Sequence, residues 1–225
     1  AGTTAAAWSP DQNKIVYLLA SDLNSTLKIL DLATQKTSDV IKINQQDFDL
    51  QWLLPDEIYL TQKPSAKFLG SLWSVNIKTK SLKQIIKDES GLMINWFKDG
   101  SFGLKFTNSD SGNYLALINN TNQVLANSLI TATLPSKCLL EQQTVWCAVP
   151  ENIPVNALLP DDYLKKKIYF QDQIIKWDLT INAVEIVYND NSNPPLDIEQ
   201  LGKIDQRLIF KNRYDNKLYS LNLSE

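Results

Sequence analysis

An all-β fold made of repeated four-stranded antiparallel units is predicted by three observations. A short apolar strand ending in Trp, a polar turn and a second strand recur at residues 7–17, 51–59 and 95–102, with Trp8, Trp52 and Trp96 each 44 residues apart. Each copy is followed at a steady offset by a second strand-like half, so that a full unit takes roughly 40–45 residues. No window longer than about a dozen residues keeps apolar side chains at i, i+3, i+4 and i+7, while β-branched and aromatic residues cluster between Asn, Asp and Ser turns. Four short strands in a unit of that length make the blade of a β-propeller.

The first unit, residues 5–43, opens on Trp8-Ser9-Pro10-Asp11 and continues through strands at 27–32 and 39–43, with a polar turn at 33–36. The second, 48–87, keeps Trp52 and Pro55-Asp56 and has its second half at 72–77. The third, 92–131, keeps Trp96 and Asp99-Gly100, with its second half at 114–119. Moving on 42 residues from Trp96 reaches Cys138, so the fourth unit, 135–188, carries Cys in the Trp position. It also carries an insertion at 149–167, with Pro150, Pro154 and Pro160, in which 160–167 suits a single helical turn. The fifth, 196–225, stops at its third strand. Propeller rings usually close by pairing strands from the two chain ends, and a first strand at one end with a third at the other leaves the outer strand unsupplied. Residues 1–225 are therefore expected to be one domain forming about five blades, the C-terminal part of a larger ring; a self-contained five-blade ring is the alternative.

Composition narrows function by exclusion. With 225 residues and 44 % apolar content, the chain can bury a substantial core and is not expected to be disordered. A net charge of −3 with no basic stripe gives no electrostatic footprint for nucleic acid. No stretch approaches the roughly 20 apolar residues that span a bilayer, so membrane contact is expected only through an anchor outside this chain. The sequence begins Ala1-Gly2 without Met, as after removal of an upstream segment. Histidine is absent, which excludes Ser-His-Asp and Cys-His catalysis and His-ligated zinc within the chain, and two cysteines cannot make a Cys₄ site. No catalytic residue, metal ligand or cofactor is assigned.

The Trp8-Ser9-Pro10-Asp11 turn followed by a hairpin resembles the TolB-like and WD40-like propeller repeats. Trp52 with Pro55-Asp56 and Trp96 with Asp99-Gly100 match that pattern in part. A closer similarity, to uncharacterised envelope-associated propeller proteins of ultrasmall candidate-phylum bacteria, is carried by residues 61–65, 134–138, 146–150, 153–154, 159–163 and 215–221. The resemblance implies a seven-bladed ring behind a membrane anchor, on the extracytoplasmic side of a bacterial envelope. It implies no activity.

Four groups of residues are candidates for a local role. If Gln142-Gln143 is a hairpin tip, Cys138 faces Cys147 at a non-hydrogen-bonded position, where Cα atoms lie about 4.5 Å apart, within disulfide reach. A disulfide there restricts the unfolded chain by roughly 2–3 kcal/mol; the other reading is two buried thiols standing in for aromatic side chains. In the 149–167 insertion, Asp161, Asp162 and Tyr163 offer two carboxylates and an aromatic face to a cation or a partner's basic side chain, and the other reading is a loop that covers one face of the ring. Excision of 151–166 is expected to leave the fold intact. Trp8, Trp52 and Trp96 are read as inter-blade packing. Residues 108–113 faintly resemble a calcium loop but lack its carboxylate spacing and fit a hairpin turn better; 189–195 reads as a linker.

The leading functional expectation is a non-catalytic extracytoplasmic scaffold binding a protein or a surface glycan. The alternative is an accessory propeller that gates or positions substrate for an enzyme domain outside this chain. Catalysis by paired carboxylates within the ring is a third reading, against which Asp11, Asp56 and Asp99 are explained as repeated turn residues.

Overall fold

The structure, a computed structural model, describes residues 2–109, 112–127, 133–189 and 195–223. Parts of the 108–113 turn and the 189–195 linker, the end of the third unit from 128, and residues 224–225 lie outside the described residues. Among the described residues, alternating apolar side chains produce nineteen strands in five antiparallel sheets, each built from strands consecutive in sequence. The first sheet holds β1 (Gly2–Trp8), β2 (Lys14–Ser21), β3 (Asn24–Asp31) and β4 (Thr37–Ile43). The second holds β5 (Phe48–Leu54), β6 (Glu57–Gln62), β7 (Leu69–Asn76) and β8 (Leu82–Ser90). The third holds β9 (Met93–Trp96), β10 (Phe102–Ser109), β11 (Gly112–Asn119) and β12 (Val124–Asn127). A 3₁₀ turn, Pro135–Lys137, leads into the fourth, β13 (Cys138–Glu141), β14 (Thr144–Pro150), β15 (Asp172–Asp178) and β16 (Ala183–Tyr188). The fifth has three strands, β17 (Ile198–Ile204), β18 (Arg207–Asn212) and β19 (Leu218–Asn222). No helix among these residues is long and apolar enough to cross a membrane.

The two-residue period of a strand sends successive side chains to opposite faces, and here each face meets a different neighbouring sheet. On β14, Val145, Cys147 and Val149 join the core shared with the third sheet, while Trp146 and Ala148 join the core shared with the fifth. On β6, Ile58 and Leu60 face the first sheet and Tyr59 faces the third. The five sheets thus stack face to face in chain order. Their first strands are neighbours, β1 beside β5 and β13 beside β17, and form one inner side.

The repeat Trp packs back onto the preceding sheet: Trp52 joins the core with the first sheet, and Trp96 the core with the second. Cys138 does the same toward the third sheet, so it takes over the role of the Trp it replaces. Trp8 departs from the expected packing. The residue is 58 % exposed, against 5 % for Trp52, because the face it occupies has no described sheet before it. Trp96 lies over Gly103 on the paired strand, so closely that an added Cβ would sit 2.7 Å from Cε3 of the indole.

The turns are set by side-chain oxygens. Ser9 and Asp11 close the first one, with the Lys14 amide donating to Ser9 Oγ (2.9 Å) and the Asn13 amide to Asp11 Oδ1 (3.2 Å); Asp99 does likewise for Ser101 (3.0 Å). Hydrogen bonds from the Ser9 and Ser101 hydroxyls, followed by those from the Asn13 and Ser101 amides, hold both carboxyls below the usual Asp range. After the third strands, Asp31, Asn76, Asn119 and Asp178 each accept a following backbone amide, from Thr34, Thr79, Thr121 and Thr180 respectively.

In urea unfolding, Trp52→Ala is expected to cost about 3–5 kcal/mol, as for a buried aromatic, and Trp8→Ala to stay within about 0.5 kcal/mol of the parent. Gly103→Ala is expected to lose about 1–3 kcal/mol by forcing the Trp96 ring aside.

Candidate functional site

Alternate connections of such sheets fall at alternate ends, so the links between second and third strands and those between sheets share one end. The longest of them joins β14 to β15. The strand runs to Pro150, which pairs with Asp172, so the excursion spans 151–171 rather than the expected 149–167. It carries a single helical turn, α1 (Asp161–Leu164). From there it crosses the third sheet: Asn108 Nδ2 donates to the Leu159 carbonyl (2.8 Å), and the Ala66 amide, on the β6–β7 loop of the second sheet, donates to Asp161 Oδ2 (2.6 Å). Residues 151–171 therefore form a strap fixed to the third and the second sheets.

Its other attachment is a buried charge cluster. Lys137 Nζ lies 2.6 Å from Asp172 Oδ2 and 2.8 Å from Asp197 Oδ1. Arg213 Nη1 reaches Asp197 Oδ2 at 2.9 Å, and the Tyr163 hydroxyl donates to Asp197 Oδ1 at 3.0 Å. The guanidinium carbon stands 3.9 Å from the centre of the Tyr163 ring, which stacks on Phe170 at 5.0 Å, and Lys137 Nζ sits 4.8 Å over the same ring. Two cations meet two carboxylates, so the interior holds no net charge. Burial pushes the Asp172 carboxyl up to about 6 despite Lys137 and the Ile198 amide, and burial followed by the charge of Asp197 raises the Tyr163 hydroxyl far above its usual range.

Of the three residues expected to form a surface site, two turn inward. Tyr163 is 5 % exposed and inside the core, and Asp161 is buried against Ala66 and Lys165. Burial raises the Asp161 carboxyl, but the Ala66 amide and Lys165 outweigh it, and the net shift is downward. Asp162 accepts the Leu158 amide (2.9 Å) and pairs with Lys167 (3.2 Å). Asp161 is thus tied to the β6–β7 loop, Tyr163 to Asp197 and Asp162 to the strap's own Leu158 and Lys167, so the three do not face one common partner site. Leu159 and Tyr163 within 151–166 belong to the core, so excision of that stretch would take both side chains out of it. Cys138 and Cys147 are paired across the hairpin as the register requires, in a disulfide with Cα atoms 4.1 Å apart.

Beside the strap, the same end opens into a groove of about 320 Å³ along the inner side, lined by β5, β9, the β6–β7 loop and the 3₁₀ turn. Asp49, Gln51, Thr61, Asn95 and Ser136 bring polar groups to it; Pro64, Leu92, Met93, Ile94 and Pro135 supply aliphatic wall. Asn95 Nδ2 donates to the Pro135 and Cys138 carbonyls, fixing the 3₁₀ turn to the third sheet. Its Oδ1, the Asp49 carboxylate, the Gln51 amide and the Thr61 and Ser136 hydroxyls have no side-chain hydrogen bond to another described residue. Water reaches Asp49, yet the protein around it pushes its carboxyl up, with Lys63 opposing. Sequence reasoning missed this groove. A usable signal was the residue just before each repeat Trp or Cys: Gln51, Asn95 and Lys137 are all polar where Ala7 is not.

No family model matches the chain, and no curated protein does. Among solved structures it is similar to TolB from Acinetobacter baumannii, with a TM-score of 0.58 and 10 % identity over 98 % of this chain and 54 % of that one. It is also similar to the β-propeller domain of the trilobed protease from Pyrococcus furiosus (TM-score 0.66, 14 % identity, 99 % and 69 %). A third likeness is to an oligogalacturonate lyase in complex with manganese (TM-score 0.67, 12 % identity, 98 % and 65 %). The fold is therefore a β-propeller with TolB-like neighbours, and the chain spans about half the length of TolB. At such identities the likeness concerns fold alone.

Lys137→Met leaves two buried carboxylates undercompensated and is expected to cost about 3–5 kcal/mol. Because the folded pKa of Asp172 lies above the ordinary 3.8, its contribution to stability is full below that pH and lost as pH rises through about 6. A carboxyl resonance titrating near pH 6 in carbon NMR, absent in Asp172→Asn, checks this; a midpoint near 4 would contradict it.

Proposed function

We propose that the chain is a non-catalytic, extracytoplasmic propeller that acts as a binding scaffold in a bacterial cell envelope, its partner a protein or a surface glycan. The observation that carries this is the loop-bearing end. There a strap braced on the second, third and fifth sheets stands beside a groove whose polar side chains have unspent hydrogen-bonding capacity. Rigid, concave and partly apolar surfaces with a few convergent polar groups are where ligands bind. The Cys138–Cys147 disulfide supports an oxidising compartment. The exposed ring of Trp8, and the 54 % of TolB that the chain spans, support reading the five sheets as part of a larger, seven-bladed ring.

A second reading, an accessory propeller beside an enzyme domain outside residues 1–225, is favoured by the likeness to the propeller domain of a protease. An upstream anchor with further blades supports the scaffold; an upstream hydrolase domain supports the accessory role.

The scaffold reading is tested by capturing envelope proteins and glycans on the immobilised chain. Phe68→Ser and Val155→Ser, on exposed loops of the strap-bearing end, are expected to cut capture at least fivefold, while Ile181→Ser at the opposite end leaves it unchanged. Equal sensitivity at both ends, or none, would overturn the assignment of the binding face.

A further inference from the structure

We propose that the groove between β5, β9 and the 3₁₀ turn receives a lysine or arginine side chain from an extended segment of a partner protein. This rests on the scaffold reading and names the chemistry of its partner.

The groove's polar groups favour donors. Asp49 offers a carboxylate, Asn95 an amide oxygen whose NH₂ is already committed to the Pro135 and Cys138 carbonyls, and Thr61 and Ser136 hydroxyls that accept as readily as they donate. Among the described residues, no cation lines the groove. Of the two nearest along the chain, Lys137 is buried between Asp172 and Asp197, and Lys63 is exposed, 3.8 Å from Asp47, where its charge reaches Asp49 without lining the groove. An anionic ligand would meet a carboxylate that only the charge of Lys63 offsets, whereas an ammonium or guanidinium would find in Asp49 a counter-charge with no ion pair to another described residue.

The walls select among cations. Pro64, Leu92, Met93, Ile94 and Pro135 form an aliphatic surface that suits the methylene stem of Lys or Arg, with the charged head at the polar groups. No aromatic ring lines the groove among the described residues, so they offer no stacking platform of the kind on which a sugar ring commonly rests. A volume of about 320 Å³ is enough for one long side chain and the flanking backbone. The protein around Asp49 already disfavours its ionised form although water reaches it, and a bound cation would oppose that shift as Lys63 does.

The wall is also held in place. Pro64 belongs to the β6–β7 loop, which the strap fixes through the Asp161–Ala66 hydrogen bond; the Ser90 hydroxyl donates to the Ala66 carbonyl (3.0 Å) and the Gly91 amide to the Ser65 carbonyl (2.8 Å). A pre-formed wall lowers the ordering cost of binding.

The experiment titrates the intact chain with acetylated, amidated pentapeptides Ala-Ala-X-Ala-Ala, where X is Lys, Arg, norleucine or Glu, and separately with a neutral disaccharide, following backbone amide shifts by NMR. The Lys and Arg peptides are expected to give saturable shifts at Gln51, Asn95 and Ser136. The norleucine and Glu peptides are expected to bind at least tenfold more weakly. Asp49→Asn, checked for an unchanged amide spectrum elsewhere, should weaken the Lys peptide at least tenfold, and Asp49→Glu should restore part of the loss. Equal binding of norleucine, or an unaffected Asp49→Asn, would overturn the basic-side-chain assignment while leaving a peptide-binding face. Saturation by the disaccharide in place of the peptides would overturn it in favour of a glycan. No groove shift from any probe would sink it outright, and the scaffold reading would then stand or fall on the capture measurement.

Discussion

Two carboxylates without access to water, Asp172 and Asp197, impose the constraint on which the loop-bearing end depends. Neither can stay ionised in an apolar interior without a partner. The partners come from three separate places: Lys137 from the turn that opens the fourth sheet, Arg213 from the end of β18, and Tyr163 from the strap. Their convergence fixes how the strap enters the core, and the Asn212 side chain that receives the Asp197 amide fixes where the fifth sheet begins. The geometry of the groove follows from the same arrangement, because Ser136 sits beside Lys137 and cannot move independently of it.

Sequence and structure agree most where the determinants are local. The pairing of Cys138 with Cys147 follows from a two-residue hairpin loop and the alternation of strand pairs, and the disulfide forms at that register. The repeat of Trp, turn and strand likewise locates the sheets, because period-two burial on both faces is what stacked sheets require. Trp8 marks where this reasoning stops. Periodicity says which face a side chain occupies, but says nothing of whether another sheet lies there.

The strap shows the same limit. Its length and prolines were visible as an excursion, and its one helical turn was anticipated. For Asp161, Asp162 and Tyr163 the sequence leaves two readings open, a surface site for a cation or basic side chain and a loop that covers one face of the ring. The groups that turn them inward, Ala66 and Asp197, are 95 and 34 residues away in sequence and carry no local signature. The groove went unread for a related reason: Asp49, Gln51, Asn95 and Ser136 come from different units, and only stacking of the sheets brings them to one opening.

Stacked repeats ordinarily exchange stabilisation only with their immediate neighbours, so each boundary is a place where the array can part. The Asp161–Ala66 hydrogen bond links the fourth unit to the second across the third. A next-nearest-neighbour tie of this kind couples boundaries that would otherwise open separately. It makes the middle of the array a more cooperative block than its first sheet, which the strap does not touch among the contacts described.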